Sequence, residues 1–194
     1  MASNPSAPPP GGGGSNRARR GGALAALVGV AIAGTLNLAL DRGEGNRKAA
    51  YADSIGIQTA CRGVIRNADG SPIRRGQRFT PAECNSLNEV ETVRHLQAAF
   101  AAVPSLQEGC PENCRRPNQI VAAGSLVYNI GPRAFRNSTV ARRWNAGDWW
   151  GGCEAFGRFN RAGGRVIRGL ALRRAWEQRD YCFIGLTPPA GRRP

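Results

Sequence analysis

The stretch "EGNRKAAYADSIGIQT", residues 44–59, places one glutamate, one aspartate and one threonine in a short polar segment, three residues after a run of twenty uncharged ones. Eight residues separate Glu44 from Asp53, and five separate Asp53 from Thr59. A glycosidase needs one carboxyl group that donates a proton to the leaving oxygen and a second that activates or holds water on the other side of the sugar. If Glu44 ends a loop or helix while Asp53 and Thr59 lie on a following hairpin, the two carboxyl groups can stand about 6.5–9.5 Å apart, the separation an inverting mechanism requires. Thr59 would then orient the water. Two carboxylates at such a spacing also occur on ordinary solvated surfaces, so the surroundings must decide.

Upstream, residues 1–16 are rich in Pro, Gly and Ser and lack the side chains of a core. "RARR" follows, and then residues 21–40, "GGALAALVGVAIAGTLNLAL", carry no charge. As a helix rising about 1.5 Å per residue, such a run matches the roughly 30 Å hydrocarbon core of a bilayer. A cleaved signal peptide is the competing reading, with "AIA" as a small-residue cleavage site. The length of the run favours a retained anchor. Ten of its twenty residues are Gly or Ala, and Thr35 and Asn37 are polar, so its hold on lipid is weak beside that of a Leu-rich span. Arginines before it and Asp41 after it orient the amino terminus to the cytoplasm and residues from 41 onward outside the inner membrane.

Downstream, "DRGEGNRKAAYADS" reads as polar and turn-forming, and "GIQTACRGVIRNADGSPI" as short strands with a turn at "NADG". In "TPAECNSLNEVETVRHLQAAFAAV", Thr80 is an expected N-cap, Pro81 the first helical residue and Glu83 the capping-box partner. The segments from "QIVAAGSLVYNIG" to "GLALRRAWEQRDYCFIG" alternate helical patterns with Gly, Asn and Asp breaks. His95 is expected on a helix surface. Ser138, Thr139 and Asn145 are expected at helix caps, Trp149 and Trp150 in the core, and Arg173, Arg174 and Glu177 in an intrahelical ion pair.

The chain of 194 residues carries 27 Lys and Arg against 13 Asp and Glu, for a formal charge of +14, and all the acidic residues lie in 41–194. Such a surface concentrates anionic polymers. Composition alone does not choose between nucleic acid, anionic membrane and cell-wall polymer. Six cysteines beside an export-like segment point to disulfides. Cys110 and Cys114 are expected to pair locally; the other four could pair as Cys61 with Cys84 and Cys153 with Cys182, a connectivity that the sequence does not fix. There is no CxxC pair and only one histidine, so no metal site is expected.

The spacing of Glu44, Asp53 and Thr59 is that of the phage-type lysozymes, glycoside hydrolase family 24, and "EGNRKAAYADSIGIQTACRG" resembles their active-site block. "FTPAEC" resembles the helix opening after the family's hairpin. "SLVYNIGPRAFRNSTVARRWNAGD" and "FNRAGGRVIRGLALRRAWEQRDYC" resemble two further blocks, so the likeness runs in unbroken order over roughly residues 41–184. Two features depart from the pattern. Arg62 stands where many relatives carry an aromatic or His, and "GCPENC" reads as an insertion.

The resemblance implies a lysozyme-like α+β fold, mainly helical, with a small β-hairpin subdomain and a helical lobe behind the anchor helix. It implies Glu44 as general acid, Asp53 as the group that holds or deprotonates water, and Thr59 as its positioner. The substrate would be peptidoglycan, cut between N-acetylmuramic acid and N-acetylglucosamine, with no cofactor. The weak anchor resembles that of signal-anchor-release endolysins, which leave the inner membrane for the periplasm. The expected organisation is a disordered basic tail at 1–20, a signal anchor at 21–40, a catalytic domain at 41–186 and a disordered tail at 187–194. The expected partners are the glycan strands and the inner membrane, not nucleic acid, and the expected state is a monomer. Deleting residues 1–40 is expected to cost export and leave the chemistry possible. The rival readings are a non-enzymatic basic protein that permeabilises bilayers or binds anionic polymer, and a lytic transglycosylase on the same fold.

Overall fold

The computed structural model describes residues 22–53 and 56–191; the expected tail at 1–20 and the last residues of the tail at 187–194 lie outside the described residues. The apolar run forms two helices, α1 (Ala23–Val28) and the first part of α2 (Val30–Glu44), broken at Gly29. Gly29 has φ +80°, a conformation in which a side chain is strained, and the carbonyl of Pro111 lies 2.9 Å from where a Cβ would stand. Among the described residues no helix is long and apolar enough to cross a membrane.

These two helices are built into the core. Leu24, Val28, Ala33, Leu36, Ala39 and Leu40 are buried with Leu96, Phe100, Ile120, Leu126 and Phe135. Close approach depends on small residues: a Cβ on Gly124 would lie 2.7 Å from Leu36 Cδ1. Val30 and Leu38 remain 80% and 71% exposed, so the uncharged run has a core face and an apolar solvent face.

Strand β1 (Arg47–Ala52) follows α2 and pairs antiparallel with β2 (Gln58–Cys61), with Tyr51 opposite Thr59 and Ala52 opposite Gln58. The register shifts between Arg47 and Tyr51. Residues 47–52 read as turn-forming in sequence because Arg, Lys and Ala show no alternation. They are extended because both edges are bonded: β2 pairs along one, and on the other Ala50 N–H donates to Gln77 O at 2.8 Å and Phe79 N–H to Lys48 O at 2.8 Å. The "NADG" turn forms as expected, with Asn67 N–H donating to Ser71 O at 2.8 Å.

Helix α3 (Pro81–Ala102) opens with the expected capping box between Thr80 and Glu83. At about 1.5 Å per residue, its 22 residues are long enough to join two cores. Cys84 and Leu87 pack with Ala60, Val64, Ile73 and Phe79 in the β-lobe, while Leu96, Ala99 and Phe100 enter the helical lobe. Helix α4 (Pro117–Ile130) is buried continuously from Gln119 to Val127 and forms the centre of that lobe. Helices α5 (Pro132–Arg136), α6 (Thr139–Asn145) and α7 (Trp149–Glu154) wrap it. A two-residue hairpin, β3 (Arg161–Ala162) and β4 (Arg165–Val166), leads into α8 (Arg168–Glu177). The result is a mainly helical α+β fold with small two-stranded sheets.

Disulfides join Cys61 to Cys84, Cys110 to Cys114 and Cys153 to Cys182, the expected local pair and the suggested pairing of the other four. Ser138 caps α6 through Ala141 N–H, but Asn145 instead donates to Ala102 O at 2.9 Å, tying α6 to the end of α3. Trp150 is buried against Phe183 with ring centroids 4.4 Å apart, and Trp149 packs on Trp144 at 5.4 Å. His95 differs from expectation. Its side chain is only 12% exposed because its ring stacks on Tyr128, at 4.8 Å between centroids.

Candidate active site

Glu44 is the last residue of α2, and Gly45, at φ +69°, turns the chain into β1. One carboxylate oxygen, Oε1, accepts a hydrogen bond from Arg173 Nη1 at 2.6 Å. Gly43 makes that contact possible, since a Cβ there would lie 2.7 Å from the guanidinium carbon. Arg173 is itself enclosed: Nε donates to Glu177 Oε1 at 3.0 Å, and Nη2 to Ser125 O and Oγ at 3.2 and 3.3 Å.

Behind it lies a second layer. Ser125 Oγ donates to Glu177 Oε1 at 2.6 Å, and Arg174 Nη2 donates to Glu177 Oε1 at 3.0 Å and Asn129 Oδ1 at 3.2 Å. Arg174 Nε stands 2.9 Å from Glu177 Oε2 but is misaligned for a hydrogen bond. Glu177 is wholly buried, and burial pushes its pKa above the ordinary carboxylate value against the pull of Arg174, Ser125 and Arg173. Burial likewise lowers Arg174 to about 10. Two guanidinium groups and two carboxyl groups thus meet in one cluster. Removing Glu177, Arg173 or Arg174 would strand a buried charge, at a cost of about 3–5 kcal/mol.

Asp53 and Thr59 stand on the hairpin that follows. Asp53 comes immediately after β1; its Oδ1 accepts from Ile57 N–H at 2.9 Å, and its own N–H donates to Ile57 O at 2.9 Å, so the residue is held by its turn. Thr59 lies in β2, 4% exposed, with Oγ1 donating to Tyr51 O at 3.4 Å. Cys61, at φ +55°, is the one residue other than glycine with positive φ among the described residues. The Cys84 disulfide anchors that strained position to α3.

Near Glu44 lie Tyr128 and His95, both of which feel its charge. Tyr128 OH donates to Arg62 O at 3.0 Å, and burial pushes its phenol pKa well above the usual range. His95 Nδ1 is 2.8 Å from Glu91 O, and burial lowers its pKa below 6.5. The intrahelical pairing of Arg173 and Arg174 with Glu177 is as expected from spacing. The reach of Arg173 to Glu44 is not, because the two residues are 129 positions apart and no local pattern joins them.

This arrangement offers a carboxyl group fixed at a helix end, and a second carboxyl and a threonine hydroxyl on the next hairpin, the parts a hydrolytic glycosidase requires. The family model of phage lysozyme matches residues 41–177. The chain is 35% identical to the SAR-endolysin of Escherichia phage N15 over 149 residues, covering 74% of this chain and 79% of that protein. It is also 35% identical to the SAR-endolysin of Enterobacteria phage PA-2 over 167 residues, covering 85% and 91%. Among solved structures it resembles the endolysin from Escherichia coli O157:H7 phage FAHEc1, with a TM-score of 0.65, 30% identity, and 80% of this chain and 94% of that one covered. With the ordered motifs, the fold and these relatives in agreement, the chain belongs to the phage lysozyme family and is a lysozyme-type glycoside hydrolase.

Proposed function

We propose that this chain is an endolysin, a muramidase that hydrolyses the β-1,4 bond between N-acetylmuramic acid and N-acetylglucosamine in host peptidoglycan. Glu44 gives its proton to the glycosidic oxygen as the bond to the leaving sugar breaks. Asp53 takes a proton from the water that attacks the anomeric carbon, and Thr59 orients that water. The observation that carries the reading is the fixed carboxyl of Glu44 at the end of α2, directly before the hairpin that bears Asp53 and Thr59. Neither the non-enzymatic reading nor transglycosylation is favoured by membership of a lysozyme family.

The second part of the proposal concerns residues 21–40. In the membrane they form one anchor, with the amino terminus in the cytoplasm; after release into the periplasm they take the two-helix form described above and complete the core. Two observations support this. The match to the PA-2 endolysin covers too much of the chain to begin at Asp41, so it includes part of the apolar run. The exposed Val30 and Leu38 are also apolar residues that the soluble fold does not need.

The test of the chemistry is Glu44→Gln, which keeps the shape of the side chain and its acceptor for Arg173 but has no proton to give. Purified wall is expected to stay intact, with loss of at least about a hundredfold in rate. Mass spectrometry of the wild-type digest should show reducing muramic acid ends without anhydro products. Near-native clearing by the folded variant would sink the assignment.

A further inference from the structure

Arg62 directly follows β2, the strand that carries Thr59, and it is 5% exposed. Its guanidinium donates through Nε to Asp41 Oδ1 at 2.7 Å and through Nη1 to Asn37 Oδ1 at 2.8 Å. Both acceptors lie on α2, three and seven residues before Glu44, and so on one helix face with it. The backbone of the same residue is held on both sides: its N–H donates to Asn88 Oδ1 on α3 at 3.1 Å, and its carbonyl accepts from Tyr128 OH on α4 at 3.0 Å. One residue therefore joins the hairpin of Asp53 and Thr59 to the helix of Glu44, and fastens both to the two central helices.

Resting on the glycosidase reading, we propose that Arg62 is a positioning residue for the reaction: it sets the rotation and height of the last two turns of α2 against β2, and through them the place of the Glu44 carboxyl relative to Asp53 and Thr59. It does not touch substrate, because it is buried. Along the chain the two ends of the catalytic set are joined through Gly45, Asn46 and β1, a strand with an irregular register. The planar fork of arginine is suited to two acceptors one helical turn apart, which a lysine ammonium cannot hold in the same geometry. The polar Asn37 in an apolar run is accounted for in the same way, as an acceptor for this fork.

The test compares the purified full chain with Arg62→Met, Arg62→Lys, Asp41→Ala and the double variant Arg62→Met/Asp41→Ala. It measures thermal melting together with kcat and KM for release of soluble fragments from purified sacculi. Because a misplacement of about 1 Å can cost on the order of a hundredfold, kcat of folded Arg62→Met should fall at least about tenfold, with KM changed less than about twofold. Arg62→Lys should recover part of the loss. Asp41→Ala, which removes the acceptor, should lower kcat in the same direction, and the double variant should be no worse than Arg62→Met alone. Folded Arg62→Met with wild-type kcat would overturn the proposal, as would losses that simply add in the double variant. If Arg62→Met melts below the assay temperature, Asp41→Ala decides, since it removes the acceptor at a half-exposed helix position; unchanged kcat there overturns the proposal. Wild-type protein that releases no fragments would instead remove the glycosidase reading, which keeps the two failures distinct.

Discussion

Glu44 is held by a contact that depends on the residue before it. Gly43 lies inside α2, where alanine would ordinarily stabilise the helix by roughly 0.5–1 kcal/mol, yet a Cβ would meet the Arg173 guanidinium at 2.7 Å. Gly43→Ala is therefore expected to displace Arg173 from its buried partners, lowering both the melting temperature and, about tenfold, kcat; steady-state assay and calorimetry on the same preparation check this. Full activity would show that the Arg173 contact does not matter. His95 gives a prediction in pH. Burial holds its pKa below 6.5, so between that lower value and 6.5 the unfolded chain binds a proton that the folded chain does not. Its contribution to stability is complete above 6.5 and is lost as pH falls toward the folded value. His95→Gln should flatten the fall in melting temperature between about pH 7.5 and about pH 5.5; an unchanged slope would show that another group is responsible.

At the level of elements, Gly29 and Gly34 are alike in sequence but not in the fold. Gly34 faces open space, whereas Gly29 is the break between α1 and α2 and touches the Cys110–Cys114 loop through Pro111 O. Gly34→Leu adds a leucine to the apolar run without disturbing the folded form, and should hold the protein in the membrane by roughly 0.5–1 kcal/mol more. Fractionation before and after collapse of the membrane potential should find more of it in the membrane fraction, with the purified soluble enzyme as active as wild type. Equal partition of the two proteins would count against release as a control step. Gly29→Leu should damage the soluble enzyme as well, because its strain lies in the fold itself. The amphipathic helix α3 was legible from its capping box and periodicity. Strand β1 was not, because Arg47–Ala52 has no alternation and is extended only through partners on both edges.

For the whole molecule, the placement of α1 and α2 changes the expected effect of deletion. Removing residues 1–40 would take Leu24, Val28, Leu36 and Leu40 out of the core, each contributing about 1.5–3 kcal/mol. Their sum rivals the total stability of a typical domain, about 5–15 kcal/mol. The deletion should therefore cost folding and activity as well as export, which far-UV circular dichroism and wall clearing of the truncated protein will show. A soluble, active product would mean that the helical lobe closes without them.

The sequence by itself determined the family, the candidate carboxyl pair with its threonine, the major caps and the local Cys110–Cys114 pair, because each depends on residue type at short or ordered spacing; the pairing of the other four cysteines, 23 and 29 residues apart, was decided by the fold. Only the tertiary structure decided that an uncharged run doubles as core, that Arg173 grips Glu44 across 129 positions, and that Arg62 serves two helix acceptors rather than the solvent. The physical reason is common to all three. An apolar run looks the same whether lipid or protein covers it, and a buried ion pair joins residues whose distance along the chain carries no trace of their distance in space.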